Sequence, residues 1–179
     1  MFAFVLAAWA TGFAQQQRQP STSAAEVMEK MKALAFLVGE WEGEGTYEFG
    51  PDQKRTFKAR ETVTPKVGGK AILVEGLGTM TVESGQEVPV HEALAVLTWD
   101  AANDKYVFLP VTAREGYVQA HVEVSEKKIA WGFDDPRGPK IRFTITLNEK
   151  GQWSEVGESS VDSGKTWHAF MDMTLTRKK

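Results

Sequence analysis

Beyond Gly39 the chain alternates apolar and polar residues with a period of two, and turns rich in Gly, Pro, Asn and Asp interrupt the alternation about every ten residues. This pattern predicts about ten short strands, over residues 41–49, 55–64, 70–78, 88–99, 106–113, 117–124, 129–133, 141–147, 153–160 and 166–176. The links are too short for the crossovers that parallel strands need, and closure removes free sheet edges. The sequence therefore predicts an all-β protein, a roughly ten-stranded antiparallel up-and-down closed barrel.

A single helix is predicted before the strands, over residues 24–37. Its start carries a capping box, in which Ser23 and Glu26 each satisfy a free backbone N–H group. Apolar residues recur at helical spacing on one face, namely Val27, Met31, Leu34 and Ala35. We expect this face to cover one end of the barrel.

The length of 179 residues suits one domain. Residues 1–14 are apolar and uncharged, and they end in small residues, which is the pattern of a secretory signal peptide. Residues 15–23 are rich in Gln, Ser and Pro and predict a flexible spacer, so that the barrel domain covers 24–179. The apolar segment is too short to span a bilayer. We therefore expect an exported protein, periplasmic or extracellular, without a stable membrane span.

The composition of the chain excludes several kinds of catalytic and binding chemistry. The chain has no cysteine, so disulfides, thiolate nucleophiles and Cys-ligated metals are excluded. The formal net charge is −3 and the signs are interspersed, so the chain lacks the basic stripe that nucleic-acid binding needs. The sequence also lacks the G-x-S-x-G elbow of a serine hydrolase. These absences favour a non-enzymatic protein with no nucleic-acid partner.

The chain resembles the calycin superfamily, which comprises lipocalins, fatty-acid-binding proteins and nitrobindin-like barrels. The resemblance lies in Gly39-Glu40-Trp41 at the start of the first strand and in Arg177 at the end of the last. In that superfamily an arginine stacked on the tryptophan closes one end of the barrel. The segment 34–45 is similar to the nitrobindin opening, whereas the motifs from Val88 onward resemble an uncharacterised bacterial lipocalin-like family. The resemblance implies Trp41 and Arg177 as the barrel-closure pair.

Aromatic residues occur on nearly every strand of the second half of the chain, and such rings can line an apolar pocket. Arg142 lies in mid-strand, where an inward guanidinium can clamp an acidic head group. The candidate ligand-binding residues are therefore Trp99, Phe108, Tyr117, Trp131, Arg142, Phe143, Trp167 and Met171. The alternatives are that the rings fill a solid core and that Arg142 faces water and pairs across strands.

The histidines offer a different chemistry. Nitrobindin-like proteins ligate haem iron through a histidine of a late strand, so the resemblance implies His168 as a haem ligand, in a barrel that acts on nitrogen oxides. Alternation places His168 opposite Met171 and Met173, and thus toward solvent if the apolar face lines the interior. Neither His91 nor His121 belongs to a His-x-His pair that would bind metal.

Three functions follow from these patterns. The main hypothesis is non-enzymatic binding of a small apolar molecule inside a lipocalin-like barrel, with no cofactor expected. The first alternative is the haem barrel. The second is a filled barrel that serves as an interaction module.

Overall fold

A computed structural model of the chain describes residues 22–48, 50 and 53–179. The predicted signal peptide and most of the predicted spacer lie outside the described residues, so both stay predictions. Within the described ranges the chain forms one α-helix and eleven strands. They are α1 (Thr22–Lys32), β1 (Gly39–Glu48), β2 (Lys54–Lys66), β3 (Ala71–Thr81), β4 (Glu87–Asp100), β5 (Lys105–Thr112), β6 (Gly116–Tyr117), β7 (His121–Ser125), β8 (Lys128–Asp134), β9 (Lys140–Leu147), β10 (Trp153–Ser160) and β11 (His168–Arg177).

The strands form one antiparallel sheet in the order β6-β5-β4-β3-β2-β1-β11-β10-β9-β8-β7. Consecutive strands are neighbours in the sheet, except β6 and β7, which form its two edges, and β1 also pairs with β11, so the first and last strands meet at the centre. The sheet curls through 273°. The predicted all-β class and the predicted antiparallel meander are confirmed.

The sheet is a half-barrel rather than the predicted closed barrel. No ladder joins β6 to β7 within the described part of the chain, and a seam separates these two edges. The predicted strand 117–124 is divided into two: Tyr117 pairs with Val111 and Val118 donates to the Pro110 carbonyl at 3.1 Å, whereas from His121 onward the chain pairs with β8. This break also makes eleven strands out of the predicted ten. Across the seam, Cα atoms of β5 and β7 approach within 8 Å.

The helix covers one end of the half-barrel, which we call the covered end. It is shorter than predicted, because α1 stops at Lys32 and a short 3₁₀ helix follows at Ala35–Leu37. Leu34 and Leu37 are 0% and 2% exposed, whereas the predicted face residue Ala35 is exposed. The core beneath them draws on strands around the whole sheet, with Met31, Trp41, Val63, Ile72, Leu97, Ile129, Ile145, Trp153, Met173 and Leu175. We call the opposite end, where β11 begins, the far end.

Candidate functional site

Trp41 and Arg177 form the centre of the covered end. Trp41 is fully buried, and its indole Nε1 donates to the Leu37 carbonyl at 2.7 Å. The Arg177 guanidinium lies 4.1 Å from the Trp41 ring centre and donates to the carbonyls of Val38 and Phe36. The arginine thus ties the last strand to the backbone between helix and first strand, as the calycin resemblance implies.

Trp99 also belongs to the covered end. It packs edge-on against Tyr106 at 4.8 Å, and the Lys30 ammonium lies 4.2 Å from its ring. The Tyr106 hydroxyl donates to the Lys30 carbonyl at 2.8 Å, which holds α1 on the sheet. Trp99 Nε1 is the one buried side-chain polar atom in the described ranges that lacks a hydrogen-bond partner. Trp99 therefore packs beneath the helix, within the core of the covered end.

A chain of five aromatic rings lines the inner wall toward the far end. Successive ring centres are 5.3, 5.8, 4.4 and 5.0 Å apart in the order Tyr47, Phe170, Phe143, Trp131 and Phe108. We call these five residues the aromatic belt. The contact between Trp131 and Phe108 crosses the seam, so side chains join the two halves of the sheet where backbone hydrogen bonds do not. All five rings are only half-buried.

A glycine makes room for the middle of the belt. Gly157 pairs with Phe143 on β9 and with Met171 on β11. A Cβ atom at Gly157 would lie 2.9 Å from the Phe143 ring and 3.0 Å from the Phe170 ring. Because rings cannot approach a side chain so closely, the glycine allows both rings to pack against the β10 backbone, with their planes perpendicular to one another. Met171 completes this part of the inner wall.

Two glutamates occupy the inner face between the belt and the covered end. Glu61 is in phase with buried Ala59 and Val63 on β2, and Glu155 is in phase with Trp153 and Gly157 on β10. Glu155 is 8% exposed and accepts a hydrogen bond from Trp153 Nε1 at 3.0 Å. Burial raises the pKa of Glu155 to about 7, and the indole hydrogen bond opposes this only in part. The sequence analysis missed both residues.

Glu61 has no hydrogen-bond donor within the described residues. Its carboxylate lies over Gly76, where a Cβ atom would be 2.7 Å from Oε1. Burial, and secondarily the charge of Glu155, hold the pKa of Glu61 well above its usual range. The Glu61 side chain is largely but not fully buried, on the inner face of β2.

Three predicted ligand-binding residues lie away from the inner wall. Tyr117 is 60% exposed on the edge strand β6. Arg142 faces outward, where it donates to Glu158 at 2.7 and 3.1 Å, and its guanidinium stacks 3.9 Å from the Trp167 ring. The prediction that Arg142 reaches inward as a clamp is wrong, because β9 directs Phe143 and Ile145 to the interior and its alternate residues outward. Phe108, Trp131, Phe143 and Met171 do line the interior.

A β-bulge changes the position of His168. The register of β10 and β11 shifts between Gly157 and Glu158, so that Met171 pairs with Gly157 but Ala169 pairs with Glu158. The shift moves Phe170 into the belt and places His168 opposite Ser159, on the inner face at the rim of the far end. His168 is exposed at this rim, as expected, although the bulge changes the face of β11 on which it lies.

The other two histidines show no metal site. His91 is on the inner face of β4, where burial lowers its pKa and the charge of Glu115 opposes this in part. His121 is exposed and lies against Gly132. In the ranges 22–48, 50 and 53–179, no cluster of three or more His, Asp or Glu side chains could hold a metal ion.

The convex face carries a shallow groove of about 550 Å³. Both charged and apolar side chains line it, among them Arg60, Leu77, Glu92, Leu94 and Val111. Its walls are the outer faces of β2 to β5, and it lacks converging rings and enclosed polar groups. The inner wall, which has both, is therefore the stronger candidate site.

Comparison with known proteins finds structures of similar fold but no matching family. No model of a known protein family and no curated protein sequence matches the chain. Among solved structures, the crystal structure of Rv2717c from M. tuberculosis is similar with a TM-score of 0.58 and 13% sequence identity, covering 83% of this chain and 97% of that one. The structure of EF1p2_mFAP2b bound to DFHBI has a TM-score of 0.43 and 14% identity, over 83% and 98% of the two chains.

The curled antiparallel sheet and the likeness to Rv2717c define a calycin-like fold. No helix in the described part of the chain is long and apolar enough to cross a bilayer.

Proposed function

We propose that the protein binds a small apolar molecule inside the half-barrel, against the aromatic belt, without catalysing a reaction on it. The observation that carries this proposal is the belt itself: its five rings point inward and touch one another, yet they stay half-buried. A guest that removes this apolar surface from water gains free energy, about 25 cal/mol for each Å².

The packed core of the covered end limits how deeply a ligand can enter the half-barrel. Trp41, Leu34 and Leu175 are each fully buried there, so this region is already packed and offers no apolar surface to a ligand. The belt lies beyond this packed core, where barrels of similar size hold one small ligand. The guest would contact the belt rings and Met171.

Titration with Nile red, a neutral and planar apolar dye, tests the proposal. We expect saturable one-to-one binding with a blue shift of the dye emission. Trp131→Ala should weaken binding by about tenfold or more, because it removes the ring at the centre of the belt.

Trp167→Ala is the matched control. Trp167 is also a half-buried tryptophan, but it lies on the outer face against Arg142. Its removal should leave the dye affinity within about twofold of the original, since it has no contact with the inner wall. Absence of dye binding, or equal losses in the two variants, would contradict interior binding.

Haem binding is the second candidate function, and the bulge in β11 is the observation that favours it. The bulge brings the His168 imidazole to the inner rim beside Phe170, and imidazole is a common axial ligand of haem iron. His168 would hold the iron, and the belt rings would pack on the porphyrin. The bound haem would supply the iron chemistry on nitrogen oxides that the nitrobindin resemblance implies.

Absorption spectra recorded while haemin is added separate the two candidates. Haem binding through His168 predicts a Soret band that is lost in His168→Ala and retained in His121→Ala, whose histidine is exposed on β7. A Soret band that is unchanged in His168→Ala would exclude His168 as the ligand. Dye binding without any Soret band would exclude haem binding and support the binding of an apolar ligand.

A further inference from the structure

The two inner glutamates form a polar site within an otherwise apolar wall. Their neighbours on the inner face are apolar or glycine: Trp41 and Gly76 beside Glu61, and Ile145 and Met173 beside Glu155. One carboxyl group accepts a single hydrogen bond, and the other accepts none within the described residues. Buried carboxyl groups are normally satisfied by donors or cations.

The described part of the chain supplies no cation to this site. Arg60, adjacent to Glu61 in sequence, faces outward and donates to Glu42 at 3.0 Å. Arg177 is held over Trp41 by the backbone carbonyls of the covered end. Within the described ranges, neither inner carboxylate is in an ion pair, so the site keeps acceptor capacity for a positively charged group.

The position of the site relative to the belt matters. Glu155 lies one inward-facing position beyond Gly157, and the belt rings Phe143 and Phe170 cover that glycine. A molecule whose apolar body lies on the belt would therefore point its deeper end at the carboxylates. Glu61 lies on the same inner face, where it pairs with Trp41 and Gly76.

We infer that the ligand is a lipophilic amine, whose rings or chain pack on the belt and whose protonated amino group is received by Glu61 and Glu155. This inference rests on the proposed function, since it names the chemical class of the apolar guest. A charged hydrogen bond between ammonium and carboxylate is stronger than a neutral one, and the enclosed site shields it from water.

Three probes with one ring system test the head group: 2-naphthylethylamine, 2-naphthylethanol and 2-naphthylacetate. Their affinities for the full chain are measured by calorimetry at about pH 8, above the pKa of about 7 to which burial raises Glu155. The amine should bind about tenfold more tightly than the alcohol, and the acid should bind most weakly, since two like charges oppose it.

Isosteric variants locate the effect. Glu61→Gln keeps the shape of the side chain but removes its charge, and it should lower the amine affinity about tenfold while the alcohol affinity stays within about twofold. Glu75→Gln is the matched control, because Glu75 is exposed on the neighbouring strand β3 and faces outward. The control should change neither affinity.

The pH dependence of the unaltered protein gives a second measurement that needs no variant. Both carboxyl groups have raised pKa values, so amine binding should strengthen from about pH 5.5 to about pH 8, while alcohol binding stays flat. His91 is the other inward titratable group near the site, and its loss of charge acts in the same direction. On the strands beside the glutamates, Arg177 lies over Trp41 at the covered end and His168 lies at the far rim, whereas other charged residues face outward, including Glu42, Glu75, Arg142 and Asp172. Burial raises the pKa of Tyr106, so its hydroxyl group stays neutral over this range.

The outcomes separate the two proposals. If the amine and the alcohol bind with equal affinity and Glu61→Gln changes neither affinity, the inference of an amine ligand is wrong, but the proposal of apolar binding is not contradicted. If none of the three probes binds and Nile red does not bind either, both the proposed function and the inference of an amine ligand are wrong. A preference for the amine that Glu61→Gln abolishes and Glu75→Gln preserves supports the inference.

Discussion

The two ends of the half-barrel are built from the same residue types but are filled to different degrees. At the covered end, Trp41, Leu34 and Leu175 are fully buried and the helix excludes water. At the far end, the five belt rings point inward and remain half-buried. Both ends contain aromatic rings that pack against one another, so ring content alone does not separate a core from a site. The degree of filling does, because only the far end keeps apolar surface that a guest can cover.

The carboxyl groups mark the boundary between these two regions. Glu155 lies between buried Trp153 and the belt glycine Gly157, and Glu61 pairs in register with Trp41. In a solid core, burying two such carboxyl groups would lower the stability of the fold without serving any binding role. The inner wall therefore combines a covered end whose packing stabilises the fold with a far end whose exposed rings and nearby carboxyl groups do not.

The largest expected effect contrasts one ring from each end. Trp41→Ala should lower the free energy of unfolding by about 3–5 kcal/mol, because it leaves a cavity and removes the partner of Arg177. Phe143→Ala should cost about 1–2 kcal/mol, since its ring is only half-buried. Urea unfolding followed by circular dichroism measures both. Equal losses in the two variants would remove the distinction between the ends.

The second prediction concerns the boundary and its pH dependence. Burial raises the pKa of Glu155 from 4.5 to about 7, so the folded state binds a proton more tightly than the unfolded chain. The free energy of unfolding should therefore fall as the pH rises between these two values, by up to about 3 kcal/mol, and then level off. Glu61 contributes with the same sign.

Glu155→Gln isolates one of these contributions. The amide keeps an acceptor for Trp153 Nε1 but carries no charge, so the variant should be more stable than the original at about pH 8 and similar at about pH 4. Urea midpoints at the two pH values decide the matter. A variant that is less stable at about pH 8 would mean that the carboxylate is stabilised there by its surroundings.

The third prediction compares two arginines that stack on tryptophans. Arg177 lies 4.1 Å from Trp41 at the covered end, and Arg142 lies 3.9 Å from Trp167 on the outer face. Arg177→Ala should cost about 1–2 kcal/mol, because two backbone carbonyls lose a charged donor. Arg142→Ala should cost a few tenths of a kcal/mol, as is usual for exposed pairs. Urea midpoints that fall in the opposite order would contradict a closing role for Arg177.

The smallest expected effect distinguishes two buried indoles. Trp99→Phe should change the free energy of unfolding by less than about 1 kcal/mol, since the lost Nε1–H group has no acceptor. Trp41→Phe should cost about 1–2 kcal/mol more, because it breaks the hydrogen bond to Leu37. Thermal unfolding of both variants under one buffer condition provides the comparison. A larger loss for Trp99→Phe would show that its indole nitrogen is satisfied in solution.

The antiparallel meander and the covered end were predictable because their signals are local. Strand alternation and turn residues define the meander, and Trp41 with Arg177 follows from a short motif and the last strand. Closure was not predictable in this way. It depends on whether β6 and β7 meet, and the change of partner from β5 before Val118 to β8 after His121 is set by pairing with strands distant in sequence.

The inner wall was predictable only in part. Phe108, Trp131 and Phe143 lie on the inner face, but aromatic content carries no information about which face a strand buries, and Trp167 lies outside. The bulge beside Gly157 reverses the phase of β11, so Phe170 was missed. A usable signal did exist for Glu155, which shares its strand face with Trp153, and period-two reasoning applied to charged residues would have found it.

The seam has a consequence for the size of the interior. In a fully closed barrel, any increase in girth breaks backbone hydrogen bonds between strands. Here the two margins are joined by the contact of Phe108 with Trp131 and by the Arg137 guanidinium, which donates to Glu115 at 3.3 Å. Expansion to admit a bulkier occupant therefore breaks only side-chain contacts, and the strand ladders on both sides stay intact.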